Sequence, residues 1–392
     1  MKKFYIETYG CSRRYLDAER ISNYFHANGI KKTMKPEEAD YLMLVTCGLT
    51  KRTEDEVIGS IARLKRSKGK MLVYGCLPAM NLDRLKTIYD RDMLITRDID
   101  RIDEFFTGFS KKFKDIDDAN EVKSILPYSF LKRVSIRFFI HPLCKFTKLN
   151  LKEGLSGGFG LNRKTWALRI SEGCSGSCSY CNIRKAIGSI RSKTVPELLR
   201  EVDKGLAKRK FDIHIVSSDS GAYGLDIGSN LPELLNAILK KDDRIKIGFI
   251  QDLHPYYVHK YRKQLVELFK TRRIGSILTA VQSGNPRILR LMRRWDDIDN
   301  FRETLRQIKD SSPDLRVMTQ VIVGFPSETE EEFLDTLSYV NNCGFDEVDI
   351  FAYHESLRTD SSAIMPKVAP AVIIERTKRM GSALNMSRRI LL

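Results

Sequence analysis

The sequence predicts an α/β protein built from an N-terminal open parallel α/β sheet domain and a partial (βα)6 barrel. Short apolar runs alternate with amphipathic helical stretches in both halves of the chain, and strands that alternate with helices pair in parallel. The chain has 392 residues, more than a single ordinary core accommodates. Hydrophobic residues make up 42% and charged residues 30%, which is typical of a globular protein.

The N-terminal domain is expected to cover residues 1–105. The runs "KKFYIET", "YLMLVT" and "KMLVYG" predict three strands. A helix is expected from about Asp17 to His26, and another over "EDEVIGSIARLK". This alternation predicts an open parallel sheet with its helices between successive strands.

Three cysteines follow these strands in turn: Cys11, Cys47 and Cys76. The carboxyl ends of parallel strands form the edge where open sheets bind ligands. A single cysteine at such a place most often serves as a small buried apolar residue. The same position in three successive units, each time beside a glycine, favours convergence on one metal cluster.

Residues 106–164 are interpreted as a basic and aromatic connector. No acidic residue occurs between Val122 and Lys152, whereas basic and aromatic side chains are interleaved there: Lys132, Arg133, Arg137, Lys145, Lys148, Phe130, Phe138, Phe139 and Phe146. Such a segment can hold a nucleic-acid strand by phosphate contact and stacking, or lie on anionic lipid. An interdomain segment whose aromatic side chains pack on both domains is an equally weighted alternative.

The barrel is expected over residues 165–370. Its six predicted strands are "WALRIS", "FDIHIVS", "RIKIGFI", "SILTAVQ", "LRVMTQVIV" and "DEVDIFA". Two capping boxes predict helix starts, one joining Thr194 to Glu197 and one joining Ser327 to Glu330. Residues 371–392 are predicted to form a basic C-terminal helix. The active site of such a barrel lies at the carboxyl ends of its strands.

The stretch "SEGCSGSCSYCNIR" places Cys174, Cys178 and Cys181 directly after the first of these strands. This spacing, in a loop rich in glycine and serine, lets three thiolates surround one face of a cubic iron–sulfur cluster. A structural zinc site would need a fourth ligand, and no other cysteine or histidine lies between Cys144 and His214. Three ligands leave one iron of a four-iron cluster open to a substrate or cofactor.

Charge and sequence signals narrow the class of protein further. The formal net charge of +17 favours a polyanionic partner, most simply nucleic acid. No apolar run approaches the roughly 20 residues of a transmembrane helix, and "MKKFYIETYG" lacks the features of a signal peptide. Eight cysteines are too sparse for a secreted disulfide scaffold. A cytoplasmic location is therefore expected.

The C-x3-C-x2-C spacing after the first barrel strand resembles the radical S-adenosylmethionine superfamily. With the three earlier cysteines, the chain resembles its methylthiotransferases over residues 3–105 and 166–385. The resemblance implies that Cys174, Cys178 and Cys181 hold a catalytic 4Fe-4S cluster, whose free iron binds S-adenosylmethionine. One electron then generates a radical that removes a substrate hydrogen. Cys11, Cys47 and Cys76 would hold a second 4Fe-4S cluster that carries the inserted sulfur. A donor such as flavodoxin or ferredoxin would supply electrons.

The same resemblance implies a set of residues that contact S-adenosylmethionine. Tyr180 would lie near the adenine, and Ser217, Ser218 and Asp219 near the methionine amino group. The ribose would meet Gln282 and Ser283, and the adenine side would be lined by Ile322, Val323 and Gly324.

The chain also departs from the family pattern. Arg14 and Val45 stand where the family commonly has asparagines, and Ile187 stands where an arginine is usual. The sequence stops at "MSRRILL", where most relatives continue into a TRAM domain. These departures bear on the substrate more than on the chemistry, because none removes a cluster ligand.

Three functional hypotheses follow. The net charge and the stretch "SSDSGAYGLDIGSNLPELL" favour methylthiolation of a tRNA adenosine of the threonylcarbamoyladenosine type, beside the anticodon. The second hypothesis is methylthiolation of a protein or peptide side chain, of the aspartate type, because an acidic substrate would also be attracted. The third is a non-catalytic iron–sulfur binding protein.

Overall fold

The computed structural model describes residues 1–48, 50–122, 165–356 and 358–391. The chain divides into two compact units, Met1–Lys164 and Thr165–Leu392. Most of the basic and aromatic connector, including every basic and aromatic residue named for it, lies outside the described residues, so its role stays a prediction. Within the described ranges, no helix combines the length and the apolar composition needed to cross a membrane.

The first unit contains one parallel sheet in the order β2-β1-β3-β4-β5. Its strands are β1 Lys3–Thr8, β2 Lys31–Lys32, β3 Tyr41–Thr46, β4 Lys70–Gly75 and β5 Met93–Ile95. Its α-helices are Ser12–Ala27, Lys51–Leu64, Leu77–Met80 and Leu82–Lys86, and 3-10 turns cover Pro36–Glu38, Thr96–Glu104 and Phe113–Asp115. The three predicted strands are present, and the two strands that the sequence analysis missed are short and lie at the edges of the sheet.

Both faces of this sheet are covered, because successive residues of a strand point to opposite sides. In β3, Met43 and Val45 pack into a core with Phe4 and Phe25. Leu42 and Leu44 face the other way and pack with the helix Lys51–Leu64. The continuous apolar run "YLMLV" is thus explained by a central strand that is buried on both sides.

The second unit is formed around an open sheet of seven parallel strands, with no closed barrel among the described strands. The strands are β6 Thr165–Arg169, β9 Asp212–Val216, β10 Lys246–Ile250, β11 Ser276–Leu278, β12 Arg316–Val323, β13 Glu347–Ala352 and β14 Ser387–Leu391. A short antiparallel pair, β7 Ser171–Glu172 and β8 Arg191–Ser192, lies beside it. All six predicted strands are confirmed, and β14 is a seventh.

Helices connect the strands of the second unit. The α-helices are Ile183–Ile187, Val195–Ala207, Leu231–Leu239, Pro255–Lys260, Arg262–Lys270, Pro286–Leu291, Ile298–Ser311, Glu330–Asn342 and Pro370–Ala383, with 3-10 turns at Ser220–Ala222 and Asp360–Ala363. The sheet order β14-β13-β12-β11-β10-β9-β6 follows the chain order, as expected for successive crossovers in one direction.

One of the two predicted capping boxes is confirmed and the other is wrong by two residues. Thr194 caps the helix Val195–Ala207 and exchanges hydrogen bonds with Glu197. The helix Glu330–Asn342 is instead capped by Thr329 with Glu332. Ser327 cannot serve as the cap, since it has a φ of +66° and its amide donates to the carbonyl of Pro366.

The predicted helix over residues 371–392 is also corrected. The helix ends at Ala383, because Leu384 is extended, and Ser387–Leu391 pairs in parallel with Glu347–Phe351. Arg389, one of the basic residues that suggested an exposed helix, lies on β14 and donates to Asp349 of β13 at 2.6 and 2.7 Å. Within the helix, Arg376 is 6% exposed and bonded to Glu328 and Glu330, so the segment does not present a wholly solvated basic face.

Candidate functional site

The loop between β7 and the helix Ile183–Ile187 carries Cys174, Cys178 and Cys181, which form the second trio of cysteines. Cys174 donates its amide to the carbonyl of Gly188 at 3.2 Å, which fixes the start of the loop. The Gly176 amide donates to Cys174 Sγ at 3.3 Å. A Cβ at Gly176 would lie 3.4 Å from Cys174 Sγ and 3.8 Å from Cys178 Sγ, so both thiols border the same space. The absence of a side chain at Gly176 keeps that space open.

The donor set, three thiols on one loop, has the chemistry of an iron–sulfur ligand set. None of the seven described cysteines forms a disulfide. In the described ranges, no three His, Cys, Asp or Glu side chains are arranged to hold one metal ion. Separate irons of a cube bind separate thiolates, which therefore stand further apart than the ligands of one ion. Burial raises the pKa of Cys174 to about 12, with a further contribution from Asp219, and burial also raises that of Cys181.

Gly173 makes the turn that leads into this loop. Its φ is +82°, a conformation that favours glycine, and an added Cβ would lie 1.9 Å from the carbonyl oxygen of Ser189. The residue before Cys174 therefore has to be glycine for two independent reasons.

We expect Gly173→Ala to lower the free energy of unfolding by about 2 kcal/mol or more, because backbone strain and a steric clash add together. Gly228→Ala is the matched control, since Gly228 has a φ of +70° but no atom within 4 Å of the added Cβ. The control should cost about 1 kcal/mol. Urea unfolding of both variants measures the difference, and equal losses would contradict the proposed clash.

Asp219 connects the cysteine loop to the end of the second barrel strand, β9. Its Oδ2 accepts hydrogen bonds from the amide and the hydroxyl of Ser175, at 3.1 and 2.6 Å, and lies 3.6 Å from Cys174 Sγ. Its Oδ1 is buried and has no hydrogen-bond partner. An unpaired carboxylate oxygen beside the thiols is suited to a cationic ligand group, because burial without a partner is costly.

Gln282 is a second buried polar residue with an unpaired atom at this edge. Its Oε1 has no partner, and neither does Oγ1 of Thr279 on the same segment after β11. Gln282 has a φ of +71° and pairs through its backbone with Gln320 and Ile322. Buried oxygens without partners at the carboxyl ends of two strands indicate a polar ligand there.

An apolar cluster adjoins Gln282 through Ile322, whose amide donates to the Gln282 carbonyl. Tyr180 and Ile322 both pack against a small buried cluster that includes Met292 and Phe325. The sequence analysis assigned both residues to the adenine side of the cofactor, and that contact stays a prediction. Val323 accepts a hydrogen bond from the amide of Tyr353, and Gly324, with a φ of +81°, donates to Glu328 Oε2.

The three predicted serines differ in what they can contact. Ser217 is buried, shares a hydrogen bond with Ser171 and accepts from the Asp219 amide, so it shapes the strand end. Ser283 shares a hydrogen bond with Thr336 and accepts from the Asn285 amide, so its hydroxyl is used within the protein. Ser218 is partly exposed. Contacts of these residues with a ligand stay predictions.

The sequence analysis missed Arg294 and Tyr257. Arg294 Nη1 lies 3.6 Å from Cys178 Sγ and 3.3 Å from the hydroxyl of Tyr180, which links a thiol to the apolar group. Tyr257 shares a hydrogen bond of 3.2 Å with the Ser175 hydroxyl. The only signal for Arg294 was the doubled arginine after "NPRILRLM", and no local motif marked Tyr257.

The first trio lies at the carboxyl edge of the other sheet. Cys11, Cys47 and Cys76 each follow a strand, and these strands, β1, β3 and β4, are neighbours. A Cβ at Gly10 would lie 3.4 Å from Cys47 Sγ, so the Cys11 turn and Cys47 are in contact distance. Cys76 follows Gly75, which has a φ of +130°. A Cβ added at Gly75 would lie 2.3 Å from the carbonyl oxygen of Thr46, so no side chain fits there. The topology thus brings three thiol-bearing turns to one edge.

Electrostatics favour the thiolate form at Cys11 and oppose it at Cys76. Burial opposes ionisation of Cys11, yet Arg13, Arg14 and their backbone N–H groups outweigh it and lower its pKa. Burial raises the pKa of Cys76, with Arg14 and a hydrogen bond to Thr96 acting in the opposite direction. Thiolates, rather than thiols, are the ligands of iron.

Two family models match the chain. The Radical SAM superfamily model matches residues 168–340, which include the second trio. A model described as Uncharacterized protein family UPF0004 matches residues 3–96, which include the first trio.

Relatives from three domains of life align with nearly the whole chain. A probable threonylcarbamoyladenosine tRNA methylthiotransferase of Pyrococcus horikoshii is 28% identical, over 97% of this chain and 83% of the relative. A threonylcarbamoyladenosine tRNA methylthiotransferase of Danio rerio is 26% identical, over 99% and 67%. A tRNA-2-methylthio-N(6)-dimethylallyladenosine synthase of Clostridium perfringens is 26% identical, over 98% and 82%.

Among solved structures, the fold is similar to that of TsrM, a radical S-adenosylmethionine methyltransferase from Kitasatospora setae. The TM-score is 0.61 at 12% identity, and the match covers 92% of this chain and 77% of that chain. This likeness concerns the fold alone.

Proposed function

We propose that this chain, a member of the radical S-adenosylmethionine methylthiotransferase family, inserts a methylthio group at an unactivated C–H carbon of a tRNA adenosine. The observation that carries the proposal is the pair of cysteine trios, each on turns at the carboxyl edge of a parallel sheet. Cys174 of the second trio lies beside Asp219, whose buried Oδ1 has no hydrogen-bond partner in the structure.

The second trio fits the cofactors that the superfamily implies, a 4Fe-4S cluster and S-adenosylmethionine. When bound, this cluster supplies the electron that cleaves the sulfonium of S-adenosylmethionine. The chain provides the ligands Cys174, Cys178 and Cys181. The unpaired Asp219 Oδ1 can accept from the ammonium group of the methionine part. The apolar surface of Tyr180 and Ile322 can cover the adenine.

The first trio is proposed to hold a second 4Fe-4S cluster. Its three turns belong to adjacent strands, and the charges of Arg13 and Arg14 favour the thiolate form of Cys11. By the family resemblance, this second cluster carries the sulfur that is inserted. The chain's own contribution is to hold three thiolates on turns that admit no larger residue at Gly75.

The choice of tRNA rests on charge and on the names of the relatives. The net charge is +17, and exposed basic side chains lie next to the second trio: Arg184 and Lys185 on the helix after Cys181, and Arg191 on β8. A polyanion is attracted to such a surface, and its binding should weaken steeply as salt increases. A threonylcarbamoyladenosine beside the anticodon is the proposed target, a flavodoxin or ferredoxin the proposed electron donor, and the cytoplasm the proposed location.

Anaerobically reconstituted protein should be incubated with S-adenosylmethionine, a reductant and tRNA, and the digested nucleosides analysed by mass spectrometry. A threonylcarbamoyladenosine that gains the mass of a methylthio group is the expected product. A gain on dimethylallyl-type adenosine instead would change the substrate and keep the reaction class. Modification of an aspartate-containing peptide with unmodified tRNA would contradict the tRNA proposal. An intact cluster that never cleaves S-adenosylmethionine would favour a non-catalytic iron–sulfur protein.

We expect Asp219→Asn to weaken binding of S-adenosylmethionine by about 2 kcal/mol, the usual strength of a hydrogen bond to a charged group. This corresponds to about a 30-fold higher dissociation constant. Asp226→Asn is the control, because Asp226 is an exposed carboxylate of the same loop and accepts from the Ser192 amide. Equilibrium dialysis of both variants at equal iron content measures the effect. Equal affinities would remove Asp219 from the binding site.

A further inference from the structure

Arg14 places a buried guanidinium at the first cysteine trio. It lies in the first turn of the helix that begins after Cys11 and is only 5% exposed. Its Nη1 lies 2.9 Å from Asp17 Oδ2 and donates to the Tyr74 hydroxyl at 3.2 Å. The Tyr74 hydroxyl in turn donates to Asp17 at 2.8 Å. A closed triangle of three side chains therefore fixes the position of the charge.

The stem of Arg14 lies beside Gly10, on the same side as Cys47. A Cβ at Gly10 would lie 3.1 Å from Arg14 Cγ and 2.9 Å from Cys47 Cβ, so both side chains border the same glycine. Arg14 Nε is buried and has no hydrogen-bond partner. A buried N–H of a guanidinium without an acceptor is costly, which indicates that an acceptor is present in the working protein.

We propose that Arg14 is a positioning residue that fixes a positive charge beside the cluster held by Cys11, Cys47 and Cys76 and thereby raises the reduction potential of this cluster. The proposal rests on the second cluster of the proposed function. Arg14 ligates no iron in this proposal, and acts through the cluster.

Electrostatics determine the direction in which Arg14 shifts the reduction potential of the cluster. Reduction adds one negative charge to the cluster, and a nearby cation stabilises the reduced state more than the oxidised state. The net charge around a cluster and the hydrogen bonds to its sulfurs are known determinants of its potential. Arginine keeps its charge at all working pH values, and a buried charge acts through less screening than an exposed one. Arg13 and Arg14 are the charges that act most strongly on Cys11, and both are positive.

The test isolates the second cluster, which the first trio is proposed to hold, in the full chain. In a parent carrying Cys174→Ala, Cys178→Ala and Cys181→Ala, only the first trio can bind a cluster, and its potential is measured by EPR-monitored titration with dithionite. Arg14→Gln should shift the reduction equilibrium at least tenfold toward the oxidised state, which is about 59 mV for one electron. Arg14→Lys keeps the positive charge, so its reduction potential should stay close to that of the parent.

Controls separate charge from packing. Arg20→Gln removes a positive charge from the same helix, further from Cys11, and should leave the potential within a small fraction of the Arg14 shift. Arg14→Gln removes the counter-charge of the buried Asp17, so Arg14→Gln/Asp17→Asn is made as well. This double variant should show a shift of the same sign, and it carries the test if the single variant fails to fold.

Each outcome is decisive. Binding of about four irons by the parent would support the second cluster. If Arg14→Gln then leaves the reduction potential unchanged, the proposed role of Arg14 is wrong. A shift in Arg14→Lys as large as that in Arg14→Gln would also contradict a charge effect. If the parent binds no iron, the proposed second cluster is wrong, and the proposed role of Arg14 is wrong as well.

Discussion

Replacing Cys181 with alanine is expected to abolish cleavage of S-adenosylmethionine. Cys181 is one of three thiols on the loop after β6, and its amide donates to the carbonyl of Cys178 at 3.1 Å, so the loop itself should keep its shape. Two thiolates do not hold a four-iron cube at this site with one iron open for the cofactor. The measured quantities are deoxyadenosine formation with dithionite and iron content, which should fall from about eight to about four per chain.

Cys343→Ala is the matched control for this prediction. Cys343 is also buried, 6% exposed, but it packs in the core beside Tyr339 and belongs to neither trio. Its replacement should keep about eight irons and full cleavage. Retention of cleavage in Cys181→Ala, or its loss in Cys343→Ala, would contradict the assignment of the second trio.

Replacing Cys76 with alanine is expected to separate the two halves of the reaction. Cys76 follows β4 in the first unit, and its loss removes one ligand of the proposed second cluster. Cleavage of S-adenosylmethionine should continue at the second trio, because its ligands are unchanged. Formation of the methylthio product should fall below detection, and iron should fall to about four per chain.

The expected signature of Cys76→Ala is therefore deoxyadenosine without methylthiolated nucleoside. Parallel assays of both products in one reaction measure it, with Cys343→Ala again as the control. Loss of both products would indicate that the two trios do not act as separable sites. Retention of the methylthio product would exclude Cys76 from sulfur insertion.

Much of the fold could be predicted because the strands carry strong local signals. Runs such as "YLMLVT" are long enough and apolar enough to identify central strands, and the cysteines were placed by topology alone. Strand β14 was missed because Arg388 and Arg389 suggested an exposed helix, whereas Arg389 pairs with Asp349 across the sheet. The cap at Ser327 was wrong because two hydroxyl residues with the right spacing to a glutamate occur within three positions, and only the backbone distinguishes them.

The candidate site was predictable only in part, for a physical reason. The spacing of the cysteines identifies them in the sequence. A side chain that contacts them from a distant segment has no such local signal. Arg294 reaches Cys178 across 116 positions of sequence, and Tyr257 reaches Ser175 across 82. Arg14 stood out in sequence only as a departure from a pattern, and its burial against Asp17 and Tyr74 became visible in three dimensions.

The direction of β14 has a practical consequence for handling the protein. This strand runs parallel to β13, so its last residues emerge at the same edge of the sheet as the loop of Cys174. An affinity tag fused after residue 392 would start at the edge that carries the second trio, where the proposed tRNA substrate would have to reach. A tag placed before Met1 starts instead at the amino end of β1, away from the cysteine turns of its own sheet. Purification and activity measurements are therefore better served by an N-terminal fusion.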